Sequence, residues 1–358
     1  MKIESPADEA ELLEFLRFED LARADISAHW PTIEMLELPR LTGQSALTAG
    51  IPMRPFVARD EGEIVARALA FVDPAYARRW NDRLGHLTMF EARRGTREAV
   101  KQMIDAACQW MRTQGAEAAR AGFFGALDGP FVIDAYDVLP PLLVRQNPDY
   151  YHALLKDAGF ECEKGMVDYR IEVTPELIAR YQSALEAARR GGFEVIALAD
   201  LPPEKRVADF APAFNEAFYN HWGYVAMPDA AFGEFFTMFE MMGGGLDTSV
   251  IAYRDGEPVG TLLVMPEQSA LATLAPGRTL AEWEKLNFLG IGVRLPARGR
   301  GVNLAMASYA YLRLIERGAK YLSYTIVIDD NWPSRRTAEK LGAKVCANYV
   351  AYRRNFNR

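Results

Sequence analysis

Apolar and polar positions alternate along Arg54–Ala58 and again along Glu63–Phe71, with a polar turn at Arg59–Gly62 between them. This spacing predicts an antiparallel hairpin. Gly85–Arg93 reads as a third strand. In Thr96–Gln114, Val100, Met103, Ala107, Trp110 and Met111 recur at helical spacing, which predicts an amphipathic helix ended by Gly115. Ala118–Gly125 predicts a strand, Asn147–Ala158 a helix stopped at Gly159, and Phe160–Val173 a closing hairpin. Upstream, Leu12, Leu13, Leu16 and Leu21 mark a helix over Ala7–Ala28, ended by His29-Trp30-Pro31, because the residue before proline is driven out of the helical region. From there to Pro55 the chain reads as irregular.

The second half repeats this order. Thr248–Tyr253 and Pro258–Met265 form a hairpin turning at Asp255-Gly256, and Glu284–Val293 is a long strand. A helix over Val302–Arg317 ends at Gly318. Tyr321–Ile328 is a strand, Ser334–Leu341 a helix ended by Gly342, and Lys344–Arg353 the last strand. The repeat reaches local sequence. VARDEGEIVARALAF (57–71) resembles IAYRDGEPVGTLLVM (251–265), and YYHALLKDAGFECEKGMVDYR (150–170) resembles SRRTAEKLGAKVCANYVAYR (334–353). One unit used twice accounts for this. The halves join at a charge-rich helical stretch, Thr174–Phe193.

Composition narrows the function. With 358 residues, 50% hydrophobic and 25% charged, the chain has material for two domains. Its formal charge of −7 gives no general attraction to nucleic acid or to an anionic membrane, and it has no apolar run of membrane-spanning length. The three cysteines lack metal-ligand spacing, and so do the four histidines, which predicts no metal site and a reduced, cytoplasmic protein. The opening MKIESPADEAELLEF is acidic and without an apolar core, so no signal peptide is expected.

The chemistry concentrates at NFLGIGVRLPARGRGVN (287–303), a strand, a short break at Leu295-Pro296-Ala297 and the start of a helix. Unpaired N–H groups and the positive helix end at such a junction favour an anion. Gly299 and Gly301 let the backbone approach it, and Arg298 and Arg300 add charge. This strand, the R-G-R-G-V turn, the next strand with Asn331 after it, and E-K-L-G at 339–342 resemble the GNAT acyltransferase superfamily, and the whole layout is similar to bacterial tandem-GNAT proteins. The resemblance implies an α/β (α+β) fold of two tandem GNAT-like units, each a mixed, mostly antiparallel sheet flanked by helices. It divides the chain into a degenerate first unit (1–173), a linker helix (174–192) and a second unit (193–358) with the acyl-CoA loop. It also implies that Arg298, Gly299, Arg300, Gly301, Val302 and Asn303 hold the pyrophosphate of acetyl-CoA or another acyl-CoA. Gly292, Val293 and Asn331 would then meet the pantetheine arm, and an N–H at or near Val293 would stabilise the oxyanion.

Two departures stand out. The last position of the turn is Asn303 in place of Gly or Ala. Ala338 stands where many members carry the tyrosine that protonates the leaving thiolate. The first unit has EARRGTREA (91–99) in place of the cradle and is expected not to bind CoA. Candidate acid–base groups are Glu284 and Asn287 on the long strand, Tyr324 on the next, and Asp329 and Asp330 at its end. Tyr324 fits packing equally, Glu284 a solvated strand start, and the aspartates a helix cap. Tyr219, His221, Trp222 and Tyr224 are candidates for the acceptor pocket, with core and surface as the alternative. The leading reading is N-acyl transfer from acetyl-CoA or another acyl-CoA to a small-molecule or peptide amine, without metal, nucleic acid or membrane. The alternatives are a non-catalytic CoA-binding or structural protein and an aminoacyl-tRNA-dependent transferase.

Overall fold

The alternation at 53–71 folds as the antiparallel pair β2 (Met53–Asp60) and β3 (Glu63–Phe71), extended by β1 (Lys2–Glu4) beside β2 and β4 (Leu84–Ala92) beside β3. The computed structural model describes residues 1–123, 128–140, 144, 146–265, 278–285 and 289–356. After β4, helix α4 (Arg97–Thr113) crosses the sheet and buries Val100, Met103, Ile104, Ala107 and Met111, and β5 (Ala118–Ala121) returns parallel to β4. Helix α1 (Glu9–Ala22) is shorter than expected. Arg23 leaves helical angles and turns its guanidinium inward onto Glu19 and Glu91, which ends the helix well before Pro31. The stretch expected to be irregular carries α2 (Glu34–Leu41), and α3 (Pro74–Trp80) precedes β4.

The second half begins with α6 (Pro175–Arg190), two helices after α4, with α5 (Tyr151–Asp157) between. Leu177, Tyr181 and Ala188 bury this linker helix against α9 (Val302–Glu316), where the rings of Tyr181 and Tyr311 lie 5.5 Å apart. A four-stranded antiparallel sheet follows, in the order β11-β10-β9-β8, from β8 (Phe193–Ala197), β9 (Val250–Arg254), β10 (Glu257–Val264) and β11 (Leu289–Val293). Helices α7 (Pro203–Phe218) and α8 (Asp229–Met241) pack a phenylalanine cluster on it. Of the long strand expected over Glu284–Val293, Leu289–Val293 is strand among the described residues, and Glu284 is not. The Glu284 carboxylate accepts from Leu139 N–H and Ala281 N–H, each at 3.1 Å, and binds Arg278, which holds its backbone in one turn of helix at Glu282–Glu284.

The closing strands are exchanged between the halves. Residues 160–173, expected as a hairpin, form the single strand β7 (Glu161–Glu172), whose backbone finds partners on both sides. It runs between β12 (Tyr321–Ile328) and β13 (Lys344–Asn355), and β13 in turn pairs with β5. The first half therefore completes the second half's sheet with β7, and the second half completes the first's with β13. Among the described residues one sheet of nine strands, with the short β6 (Phe131–Val132) set beside β13, runs through both units. The division at 173 follows the chain, and the sheets cross it. Among the described residues no helix is long and apolar enough to cross a membrane.

Candidate active site

Strand β11 edges one sheet and β12 the other, and among the described residues neither pairs with the other. Arg294 N–H donates to Val259 O at 2.9 Å, so by the alternation of an antiparallel ladder Gly292 faces β10, while the N–H and C=O of Ile291 and Val293 point to the open edge. A cavity of about 830 Å³ fills the wedge, lined by Gly290–Val293 on one side and Tyr324–Ile328 on the other. A register shift between Tyr324 and Val327 bends β12 away. Gly292 is required by contact: a Cβ there would lie 2.7 Å from both Ala217 Cβ and the Phe218 ring of α7.

The turn after β11 has the geometry of an anion cradle. Gly299 and Gly301 hold φ of +76° and +81°, and Gly301 stands at the start of α9, where it has no side chain of its own to cap the first turn. Arg298, Gly299, Val302 and Asn303 line the cavity, and exposed Arg300 and Gly301 complete the turn. Two side chains are engaged otherwise than the turn suggested. The Arg298 guanidinium donates to Val293 O and Ala217 O, both at 2.9 Å, and so ties the turn to β11 and α7. The Asn303 amide donates to Thr337 Oγ1 at 2.7 Å and its carbonyl accepts from Leu304 N–H, which joins α9 to α10 (Trp332–Lys340). That leaves the backbone, the helix end and Arg300 for a diphosphate. Asn331 lines the cavity and caps α10 by accepting from Ser334 N–H at 3.3 Å.

The catalytic candidates separate. Tyr324 faces the cavity, its hydroxyl 3.0 Å from Ser334 Oγ, and burial pushes the phenol up to about 12. Ser334 also lines the cavity. The sequence reading missed it, and the available signal was a hydroxyl three residues after Asn331 on the same helix start. Glu284 is buried outside the described cavity lining, tied up as above. Asn287 lies outside the described residues. Ala338 is fully buried and offers no proton. Asp330 lines the cavity and pairs with Lys164. Behind β12 the buried Asp168 accepts from Thr325 Oγ1 and Tyr169 N–H, and burial pushes its carboxyl up to about 6. The half-buried Cys346 lies against it, and burial pushes its thiol up to about 12, which disfavours the thiolate.

His221, Trp222 and Tyr224 line the cavity after α7, and burial lowers the His221 pKa. Tyr219 turns away onto the Arg79 guanidinium, 3.8 Å from its ring, and is not among the lining residues. The sequence reading also did not see that the first half walls this end. Leu47, Ile51, Asp73, Phe123, Asp128 and Val144 line it too. Glu234 of α8 holds this wall in place through Ser45 Oγ and Ala46 N–H, both at 2.7 Å.

The matching wedge of the first half is plugged. Arg93 N–H donates to Val65 O as Arg294 does to Val259, which makes Ala92 the counterpart of Val293. Ala92 N–H donates to the Tyr151 hydroxyl at 2.9 Å, and Ala92 O accepts from Tyr150 at 2.7 Å. The Tyr151 hydroxyl donates on to Glu91 at 2.8 Å, within a buried ion cluster with Arg23 and Glu19.

Comparison with known proteins places this geometry. Residues 207–343, from α7 to the end of α10, match the family model described as Acetyltransferase (GNAT) family. No curated protein matches in sequence. Among solved structures, the tandem GNAT protein from the clavulanic acid biosynthesis pathway superposes with a TM-score of 0.60 at 12% identity over 100% of this chain and 99% of its own. The GCN5-related N-acetyltransferase from Sphaerobacter thermophilus gives 0.54 at 16% identity, over 99% and 96%. A GCN5-related glucosamine N-acetyltransferase region of a fungal multi-domain GH3 β-N-acetylglucosaminidase gives 0.60 at 16% identity over 98% of this chain, which spans 38% of that protein. The resemblance to the GNAT superfamily therefore holds, and the fold is that of a tandem GNAT protein.

Proposed function

We propose, from the premise of a GNAT-family second half within a tandem GNAT fold, that this protein transfers an acyl group from acetyl-CoA or a related acyl-CoA to an amine. One observation carries the reading: among the described residues the edge of β11 is unpaired, and it faces a cavity that reaches the glycine-led start of α9. There the Ile291 and Val293 backbone groups bind the arm, Asn331 lines its path, and the Gly299–Gly301 turn with Arg300 takes the diphosphate. In the reaction the amine nitrogen bonds to the thioester carbonyl carbon and the carbon–sulfur bond breaks. The Val293 N–H stabilises the developing oxyanion. Neutral His221, or water beside it, takes the ammonium proton. Tyr324 gives its proton to the sulfur and recovers one through Ser334. The plugged first half binds no donor. The reading places the protein in the cytoplasm with a small amine as partner, without nucleic acid.

Calorimetric titration with acetyl-CoA tests it. Saturable binding that is lost in Gly301→Asp supports the site, and no binding at about 1 mM, weaker than roughly −4 kcal/mol, overturns it. Buried Ala338 favours a second reading, a CoA-binding protein without catalysis. Binding without free-thiol release across a panel of amines would select that one.

A further inference from the structure

We propose that Asp168, supplied by the first half, is the positioning residue of the second half's donor wedge: it pins the bulge that bends β12 away from β11 and turns Tyr324 to the cavity. The inference rests on the acyl-transfer reading and adds a residue to its site. Strand register gives the first observation. Tyr169 of β7 lies opposite Tyr324 and Val167 opposite Val327, so Asp168 alone faces two residues of β12, Thr325 and Ile326. On the other side of β7, Tyr169 pairs with Val345 and Asp168 with Ala347, which leaves Cys346 as an extra residue of β13. Asp168 thus stands between two bulges, one in each neighbouring strand.

Its carboxylate reaches both of them. One oxygen accepts from Thr325 Oγ1 and from Tyr169 N–H, the latter at 2.9 Å, and the other faces the Cys346 thiol at 3.9 Å. These three donors are neutral, and burial pushes the carboxyl up to about 6, so holding the charge there costs the fold stability. What the carboxylate does in return is fix which residue of β12 is the extra one. Side chains alternate along a strand, so a bulge moved one position toward the start of β12 would turn Tyr324 off the cavity face and away from Ser334. It would also release Thr325 and Ile326, which line the cavity, to close on β11. The first half, whose own wedge is plugged, holds the second wedge open from behind.

The test titrates the full-length protein with acetyl-CoA by calorimetry and follows hydrogen exchange at the Tyr324–Ile328 amides without ligand. Thr325→Val keeps a branched side chain and removes the donor, and Asp168→Ala removes the acceptor. Each is expected to weaken acetyl-CoA binding about tenfold and to speed that exchange. The double variant should bind no more weakly than Asp168→Ala alone, because both changes break the same bond. Asp168→Asn keeps an oxygen for Thr325 and Tyr169 N–H and is expected to stay within about threefold of the unmutated protein. Should Asp168→Ala fail to fold, Thr325→Val and Asp168→Asn carry the test. Undiminished affinity in Thr325→Val overturns the proposal, as does a double variant weaker than Asp168→Ala, or Asp168→Asn as weak as Asp168→Ala. The two failures are distinct. If the unmutated protein binds acetyl-CoA and Thr325→Val binds and exchanges as it does, the positioning assignment falls alone. If the unmutated protein binds none at about 1 mM and Thr325→Val still exchanges faster, the acyl-transfer reading falls and the pinned bulge stands.

Discussion

Tyr324 sits on the strand that faces β11 across the cavity, with a hydroxyl partner in Ser334 and a phenol pushed up to about 12, so it carries its proton throughout the working range of pH. Replacing it with phenylalanine keeps the packing and removes the proton. Tyr324→Phe is expected to lower kcat by about 100-fold with little change in acetyl-CoA affinity, and Ser334→Ala to have a smaller effect, read by thiol release beside calorimetry. An unchanged kcat would make Tyr324 a packing residue. His86 carries a different prediction. Its imidazole is fully buried, stacked on Phe71 at 4.9 Å, and burial holds its pKa well below the usual range. The folded pKa lies below the unfolded value near 6.5, so stability is complete above about pH 6.5 and falls as pH drops below it. Urea melts at pH 5 and pH 7 measure the loss, and His86→Phe should flatten it; an equal pH dependence in the variant would rule out this source.

At the scale of elements, α7 lies close against β11 because Gly292 has no side chain to separate them. Gly292→Ala would press on Ala217 and Phe218, cost about 1–3 kcal/mol, and shift the open edge of β11. A lower thermal midpoint with weaker acetyl-CoA binding is the expected pair of results, and undiminished binding would show that α7 yields freely. Most elements were legible in the sequence because their signals are local. Tyr321–Ile328 alternates within itself, and the helix of Val302–Glu316 begins at glycines that permit positive φ. The errors arose where distant groups act. Arg23 ends α1 through Glu91, and Glu284 coils its backbone toward Leu139.

For the whole molecule, the exchange of β7 and β13 makes each half incomplete. Residues 174–358 alone leave β12 and β13 without the strand that lies between them, and residues 1–173 leave β5 without β13. Neither fragment is expected to show the near-ultraviolet dichroism and cooperative melting of the native protein, and the two co-expressed should recover both. A fragment that melts cooperatively as a monomer would show that the exchange is dispensable. The same exchange explains the cavity. With β7 bound to β12, the first half lies beside the second half's open wedge, and its loops become part of the cavity wall.

The sequence by itself determined the repeat, the α/β order of elements and the Arg298–Asn303 turn, because periodicity and glycine placement act over a few neighbouring residues. It also showed that only one copy kept the turn. Only the tertiary structure decided that the closing strands change places, that Tyr150 and Tyr151 plug the first wedge, and that Ser334 meets Tyr324. The exchange and the plug depend on strand pairing and side-chain contact between distant parts of the chain, 59 positions apart for Ala92 and Tyr151, and the contact of Ser45 with Glu234 spans 189. No local pattern encodes such a meeting, since what brings the partners together is the burial of the sheets that carry them.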